Sequence, residues 1–375
     1  MRAESYYTAG QFVLIRARFF RKPVSCAAGI LLIILILTGL FASFLSPHEP
    51  NSAGANRQYI NGPPQMPKFR DQDGSWSKPY LCTFEQQLDR KTLRRVQVEN
   101  CEKKRYLTWF TRSWEYQLIS LNLGFTEVTL TSDLHLFGIE TGQIHLFGTE
   151  KAGKDIFGRT LHAIWVSLSI GFLALTIKLT TSLLVGGISG YFGGRIDAVL
   201  QTFTEAVRVI PSIPIYLALA VAMPDEWSSE TRYFAIAFII GAFDFPTLAR
   251  RLRTHLLAER NQEYILAAKL SGSSSSRIIR KHLIPSFLSY IIVDTIINVP
   301  YIILAETSLS FLGLGLSEPV NSIGVLLSQA QDVEVQQSLL WYYIPVVFFV
   351  LMILAFVLVG DGLRDAADPY SEEGR

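Results

Sequence analysis

Charged side chains inside long apolar segments are the residues best suited to chemistry in this chain, and they stand apart from one another. Asp244, Asp294 and Glu306 are carboxyl groups of this kind, and Lys178 is a cation of this kind. A membrane-embedded enzyme needs a nucleophile with its base, or several metal ligands, converging on one place. No two of these acids have metal-ligand spacing, and the three cysteines form no closely spaced ligand set with histidine. The pattern therefore predicts neither a catalytic centre nor a metal site.

The composition excludes two further classes of function. The sequence contains no Gly-x-x-x-x-Gly-Lys-Ser/Thr phosphate loop, so we expect no ATP site of that kind in this chain. The net charge of +2 provides no overall field that would attract nucleic acid. Charged residues make up 18% of the chain, against about 25% in soluble proteins. This deficit indicates a membrane protein.

Six apolar segments predict six transmembrane helices, because about 20 such residues cross the hydrocarbon core. They cover residues 24–45, 163–192, 195–224, 233–248, 286–312 and 341–359. The first follows a basic N-terminus and favours a retained anchor with that terminus in the cytoplasm. Its 22 uncharged residues exceed the 7–15 apolar residues of a cleavable signal peptide, which is the alternative. Gly186, Gly187 and Gly190 in the second segment favour close helix packing.

A charged side chain within these segments makes membrane insertion less favourable, since a cation near the bilayer centre raises the insertion free energy by about 2.5–3.5 kcal/mol. Lys178 must therefore face protein or water. Two interpretations are open for it: the side chain lines a translocation path, or it pairs with a neighbouring acid. We take Lys178, Asp244, Asp294, Asn298 and Glu306 as candidates for such a path.

Residues 46–160 form a long polar region with several prolines near its start. Segments of more than about 60 residues cross the membrane largely regardless of charge, so we place this region outside the cytoplasm. Cys82 and Cys101 would then lie in an oxidising compartment. A disulfide between them would stabilise the fold by about 3 kcal/mol through loop entropy. Two reduced, partly buried thiols are the alternative.

A basic stretch separates the fourth and fifth segments. From Arg250 to Pro285 there are eight Arg or Lys residues and two acids, which favours a cytoplasmic position. Small alanines allow another surface to approach the backbone, and Gly272 allows a sharp turn. The pattern predicts a helix–turn–helix shaped to fit a partner, the alternative being an ordinary solvated amphipathic loop. The candidate contact residues are Glu263, Ala267, Ala268, Gly272, Arg277, His282 and Pro285.

The spacing of Ala267-Ala268, Gly272 and His282-Leu283-Ile284-Pro285 resembles the docking loop of bacterial ABC importer permeases, which fits into a cleft of an ATPase. The family has Glu where this chain has Leu266. Further segments resemble the oligopeptide and dipeptide permeases in particular. These segments run from Gly148 to Arg159, from Tyr191 to Gly194, from Leu304 to Gly315 and from Gly360 to Pro369.

The resemblance implies an all-α polytopic membrane protein with six helices of the ABC type-1 permease fold and a mixed periplasmic insert. The implied divisions are 1–45 for the cytoplasmic N-terminus and first helix, 46–160 for the insert, 161–369 for the permease domain and 370–375 for a cytoplasmic tail. The expected location is the bacterial inner membrane, with membrane lipid around the spans and both termini cytoplasmic.

The resemblance also implies the partners: a second, B-type permease, two ATP-binding-cassette ATPase subunits and a periplasmic substrate-binding protein. The chain itself would need no cofactor, because the ATPase subunits bind the ATP, and it would be no enzyme. Its function would be the translocation of peptides or similar small solutes. An ion-coupled secondary transporter, or a membrane receptor with a periplasmic sensing insert, is the alternative.

Overall fold

The computed structural model describes residues 11–52, 59–71, 74–88, 95–122, 127–140, 142–224 and 226–368. The predicted tail, residues 370–375, lies outside these ranges, as do residues 1–10 of the predicted N-terminal region. The chain folds as two compact units. The first comprises Met1–Ile34, Ser167–Ser317 and Val350–Arg375, and the second comprises Leu35–Val166 and Glu318–Phe349.

Helices follow the apolar segments of the sequence. In chain order they are α1 (Gln11–Phe19), α2 (Pro23–Leu40), α3 (Ala42–Leu45), α4 (Ile156–Phe192), α5 (Gly194–Val209), α6 (Ser212–Val221), α7 (Ser229–Phe243), α8 (Pro246–Glu259), α9 (Glu263–Leu270), α10 (Ser275–Ile278), α11 (Ile284–Ser286), α12 (Leu288–Phe311), α13 (Ile323–Gln329), α14 (Val333–Ser338) and α15 (Ile344–Ala367). A π-helical turn covers Ile279–Leu283, and a 3-10 turn, Leu340–Tyr343, leads into α15.

Four helical segments among the described residues are long and apolar enough to cross a membrane: α2, α4, α12 and the helix from Leu340 to Ala367. Two bent pairs, α5 with α6 and α7 with α8, pass the same test only when each pair counts as one span. The membrane-type helical architecture is therefore present with four to six candidate spans. The number six stays a prediction.

Proline accounts for the two bends. Pro211 stands between α5 and α6, which meet at 81°, and the preceding Ile210 is extended with ψ 124°. A proline donates no backbone hydrogen bond and disfavours the helical conformation of the residue before it. Pro246 is the first residue of α8, next to the 41° bend that separates α7 from α8. At a first helical position the missing N–H costs no hydrogen bond.

The second unit contains a four-stranded antiparallel sheet in the order β1-β2-β3-β4. Its strands are β1 (Lys68–Arg70), β2 (Trp76–Leu88), β3 (Arg95–Asn122) and β4 (Glu127–Ile139). The 28-residue β3 pairs first with β2 and then with β4. The change of partner falls between Tyr106, which lies opposite Tyr80, and Leu107, which lies opposite Ile139.

The sheet lies within the predicted mixed insert, since the region between α3 and α4 is rich in antiparallel sheet. The periplasmic position of this region stays a prediction. The local pattern in β3 has the period of a strand: Tyr116 is buried while Glu115 and Gln117 are exposed. A strand with one solvated face alternates apolar and polar residues, so it contains no continuous apolar segment that would mark it in the sequence.

Glycines set the helix packing of the first unit. A Cβ atom built on Gly186 of α4 would lie 2.5 Å from the carbonyl oxygen of Ala249 in α8. One built on Gly190 would lie 2.9 Å from the carbonyl oxygen of Arg253, one turn further along α8. Such distances exclude any larger side chain unless the backbones separate. The predicted close packing of Gly186 and Gly190 is thus present, and α8 is its partner.

Candidate functional site

The segment from Glu263 to Ser286 is a short helix, a turn and a second helical stretch. The eight residues of α9 end at Leu270, and Gly272 follows with φ +75°, in the left-handed region that favours glycine. The N–H of Gly272 donates to the carbonyl oxygen of Lys269 at 3.0 Å. The chain then continues through α10, the π-helical turn and α11.

The inner side of this segment is anchored on α8. Ile265, Ile278 and Leu283 are completely buried and form one apolar cluster with Leu252 and Leu256 of α8. The half-buried Ala268 packs against the same cluster. Burial of a large aliphatic side chain contributes about 1.5–3 kcal/mol, so three such anchors hold the segment against α8.

The outer side of the segment is open. The predicted contact residues Glu263, Ala267, Gly272, Arg277 and Pro285 are exposed. Ala268 and His282 are half-buried, and the His282 ring lies 6.4 Å from that of Tyr264. The structure thus brings the seven predicted residues together in one segment with a packed side and a free side.

Two of the ion pairs in the first unit involve the candidate path residues Lys178, Asp244 and Asp294. Lys178 Nζ of α4 donates to Asp244 Oδ2 at 2.6 Å, and Arg251 Nη1 of α8 donates to Asp294 Oδ1 of α12 at 2.6 Å. Asn298 Nδ2 lies 3.0 Å from the other oxygen of Asp294. The first pair links α4 to the end of α7, and the second links α8 to α12.

A cavity of about 780 Å³ lies beside these pairs. Its lining includes Lys178, Arg251, Tyr290, Asp294, Asn298 and Arg364. Lys178 thus pairs with an acid and also lines this cavity, and its part in a translocation path stays a prediction. Arg364, in the last turn of α15, is a lining residue that the sequence alone did not single out.

Glu306 is separate from this cavity lining. It is completely buried in α12 and accepts hydrogen bonds from Ser167 Oγ at 3.1 Å and Ser310 Oγ at 2.9 Å. Hydrogen bonds from such hydroxyl groups offset the hydration that a carboxyl group loses when it is buried. The contacts describe a structural role for Glu306, and the path role assigned to it remains a prediction.

The second unit has its own buried charged cluster, centred on Arg159. The Arg159 side chain is completely buried and donates to Glu150, to Glu318 at 2.9 Å and to Asn321 at 2.7 Å. Burial raises the pKa of Glu150, although the charge of Arg159 opposes this. Burial acts in the same direction on Glu318, but hydrogen bonds and charge from Lys154 and Arg159 outweigh it and lower its pKa. Sequence spacing does not predict this cluster, because Glu318 and Arg159 are far apart in the chain.

The sulfur atoms of Cys82 and Cys101 are bonded to each other in the structure. The bond joins β2 to β3 next to the point at which Thr83 of β2 lies opposite Asn100 of β3. It thus fixes the two strands at the position where their register shifts, between Leu81 and Thr83.

Comparison with known proteins gives two family matches. Residues 182–371 match the model of binding-protein-dependent transport system inner membrane components. Residues 10–64 match the N-terminal transmembrane domain of oligopeptide transport permease C. The first match covers about half of the chain and includes the segment from Glu263 to Ser286.

Individual relatives agree with these matches. The chain is 35% identical over 217 residues to the dipeptide transport system permease protein DppC of Bacillus subtilis, covering 58% of this chain and 66% of that relative. It is 36% identical over 224 residues to the oligopeptide transport system permease protein OppC of Mycobacterium bovis, which covers 60% of this chain and 75% of that relative. It is 38% identical over 219 residues to OppC of Haemophilus influenzae, which covers 58% of this chain and 68% of that relative.

The fold and the family matches define a multi-pass membrane transport permease. The chain belongs to the family of binding-protein-dependent transport system inner membrane components. It is a permease subunit of an ATP-binding-cassette importer, similar to the OppC and DppC proteins.

Proposed function

We propose that this chain carries peptides or similar small solutes across the inner membrane as one of two related permeases. Two ATPase subunits would dock on the cytoplasmic side, and a periplasmic binding protein would deliver the solute. The names of the relatives, which are dipeptide and oligopeptide permeases, support the cargo class. Six spans with both termini in the cytoplasm complete the proposed topology.

The observation that carries the docking proposal is the two-sided segment from Glu263 to Ser286. Its buried anchors, Ile265, Ile278 and Leu283, tie it to α8, while five of its seven predicted contact residues are exposed. A partner shifts a conformational equilibrium only through contacts that differ between the two states. A segment that moves as one body with α8 transmits such contacts to the spans.

The route from this segment to the cavity is short. Arg251 lies on α8 and bonds to Asp294 on α12, and both residues line the cavity. When nucleotide closes the ATPase pair, a displacement of α8 would move this ion pair and the cavity wall together. The cavity would open outward to the loaded binding protein, and hydrolysis would reverse the movement.

The charges of the cavity lining support a zwitterionic cargo. Three cations, Lys178, Arg251 and Arg364, and three carboxylates, Asp294, Asp365 and Asp368, line it. A peptide with a free amino group and a free carboxylate could exchange contacts with charges of both signs there, since Lys178, Arg251 and Asp365 are paired with Asp244, Asp294 and Lys22. The balance of charge also keeps the lining close to neutral when the cavity is empty of solute.

Gly272→Pro tests the docking proposal. The substitution removes the N–H that bonds to Lys269 and forbids the positive φ of Gly272. We expect normal insertion of the chain and loss of labelled dipeptide uptake in cells that also contain the partner subunits. Gly272→Ala is the matched control, since a Cβ there meets nothing within 4 Å, and its cost is only about 1–2 kcal/mol of backbone strain.

Unchanged uptake with full ATPase coupling in the Gly272→Pro variant would refute the docking role. Uptake that persists after removal of the ATPase subunits would instead indicate an ion-coupled carrier. Insertion is checked by the amount of full-length protein recovered from membranes.

A further inference from the structure

A small pocket lies where α2 begins and α15 approaches its end, and all of its residues belong to the first unit. Its volume is about 310 Å³, at the lower end of the range of about 300–1,000 Å³ for pockets that hold small ligands. The lining includes two basic residues, two acids and two apolar residues, namely Arg21, Lys22, Asp361, Asp365, Val24 and Leu358. We call it the α2–α15 pocket.

The pocket lies at the point where the uncharged part of each helix meets its charged flank. Lys22 is the last charged residue before α2, which contains no charge. Asp361 is the first charged residue of α15, after the uncharged stretch that begins at Ile344. Both helices are among the candidate membrane spans, and charged side chains at the end of such a helix lie at the membrane interface. The charged lining therefore belongs at the level of the lipid headgroups.

Apolar side chains adjoin the charged lining on both helices. Val24 of α2 and Leu358 of α15 line the pocket and are exposed, and Leu354, one turn before Leu358, is exposed as well. The two helices are in close contact beside the pocket, because a Cβ atom built on Gly362 would collide with the side chain of Ser25. Exposed apolar surface with a polar border is typical of a membrane-binding site. Such a surface suits the acyl chains of a lipid.

The four charged residues divide into one bonded pair and two side chains that remain available. Lys22 Nζ lies 2.7 Å from Asp365 Oδ2, so the charges of these two residues compensate each other. The side chains of Arg21 and Asp361 are exposed and have no ion-pair partner among the residues that the structure describes. The pocket thus presents one available charge of each sign, which is the pattern that a zwitterionic ligand requires.

We infer that the α2–α15 pocket binds the headgroup of phosphatidylethanolamine. The lipid phosphate binds to Arg21, whose planar guanidinium presents several N–H donors to phosphate oxygens. The ethanolamine ammonium donates to the carboxylate of Asp361, and the acyl chains cover Val24 and Leu358. Phosphatidylglycerol has no cation for Asp361, and the quaternary ammonium of phosphatidylcholine has no N–H to donate. Both lipids therefore fit the pocket less well.

Lipid binding to the delipidated full-length chain in detergent, measured by native mass spectrometry, tests the inference. The three lipids are compared with identical acyl chains. We expect phosphatidylethanolamine to bind about fivefold more tightly than the other two, since one exposed ion pair has an effect of this size. Asp361→Asn should abolish the preference over phosphatidylglycerol. Arg21→Gln should weaken the binding of all three lipids, because all contain the phosphate, and Arg21→Lys should restore part of it.

Two variants with the same change of charge serve as matched controls. Arg16 is exposed in the same basic N-terminal segment, Glu230 is exposed at the start of α7, and neither residue lines the pocket. Arg16→Gln and Glu230→Gln should therefore leave both the affinities and the lipid preference unchanged. Elution of every variant at the volume of the unchanged chain in size-exclusion chromatography shows that the fold is retained.

Three results would overturn the inference. The first is a preference for phosphatidylethanolamine that persists in the Asp361→Asn variant. The second is equal or tighter binding of phosphatidylglycerol by the unchanged chain, which would indicate that Asp361 takes no part. The third is equal weakening by Arg16→Gln and Arg21→Gln, which would assign the binding to a general attraction between the basic segment and lipid phosphate.

Discussion

Lys178 Nζ of α4 lies 2.6 Å from Asp244 Oδ2, at the end of α7. The lysine side chain is only 2% exposed, whereas that of Asp244 is 35% exposed. The lysine is thus the member of the pair with no direct access to water, and the carboxylate is its compensating charge. Removing one member of a buried pair is more damaging than replacing both, because the remaining charge has no partner.

A double-mutant cycle tests this dependence. Asp244→Asn should destabilise the chain by about 3 kcal/mol, because it leaves the Lys178 cation without its counter-charge. Lys178→Met combined with Asp244→Asn should recover most of that loss. Thermal unfolding of the detergent-solubilised chain, followed by size-exclusion chromatography, measures both effects.

A surface pair provides the control for this cycle. Glu205 pairs with Arg208 on α5 and with Arg250 of α8, and all three side chains are substantially exposed, so Glu205→Gln should change stability by less than about 1 kcal/mol. A double variant as unstable as Asp244→Asn alone would contradict the compensating role of Asp244.

The second prediction concerns pH and His48. Burial lowers the pKa of His48 from 6.5 to about 4, against the opposing charge of Asp155. The geometry agrees, because the N–H of Ile144 donates to His48 Nε2 at 2.8 Å and needs an unprotonated nitrogen there. The folded pKa is below the unfolded one, so His48 stabilises the fold above pH 6.5. This contribution, at most about 3 kcal/mol, is lost as the pH falls from 6.5 toward 4.

His48→Gln separates this titration from that of other groups, since its side-chain oxygen also accepts a hydrogen bond but carries no proton in this range. Unfolding temperatures of the two proteins at pH 7.5, 5.5 and 4.5 give the comparison. The variant should lose less stability than the unchanged chain between the first and last of these values. Parallel curves would rule out His48 as the titrating group.

The third prediction concerns Arg159 in the buried cluster of the second unit. Arg159→Met should destabilise that unit by about 3–5 kcal/mol, because Glu150 is then left without the guanidinium that it contacts. Protease resistance of residues 35–166 in intact protein provides a local measurement. Lys151→Met is the control: its pair with Asp332 is largely exposed and should contribute little. Equal resistance of both variants would argue against the cluster as a structural centre.

The fourth prediction concerns the Cys82–Cys101 bond. Denatured, non-reduced protein should have one alkylatable thiol, that of Cys26, and reduction should raise the number to three. Cys82→Ser with Cys101→Ser should lower stability by about 3 kcal/mol, since the bond closes a loop across 19 positions. Three reactive thiols before reduction would show that the bond does not form in cells.

The sequence predicts well those features that a short segment determines by itself. The four long apolar helices follow from apolar length, the break before α6 follows from Pro211, and the turn after α9 follows from Gly272. The close approach of α4 to another helix follows from Gly186 and Gly190. In each case one residue type restricts the local backbone or its nearest neighbours, so no distant contact needs to be known.

Contacts between residues that are far apart in the chain cannot be predicted from a short segment. Lys178 and Asp244 are 66 residues apart, and Arg159 and Glu318 are 159 apart. Only folding decides that these charges meet. The mixed insert was predicted, but the bounds of strands β2–β4 were not, for a related reason: polar residues line one face of such a sheet, and composition alone cannot tell that face from an irregular loop.

The contact of Gly186 and Gly190 with the backbone of α8 has a mechanical consequence. Without intervening flexible side chains there is little room for the two helices to slide past each other, since close-packed interiors transmit strain rather than absorb it. A displacement of the C-terminal end of α8 would therefore be transmitted almost fully to the last turns of α4. Stiffness at this crossing would let a force from outside the bilayer become displacement within it.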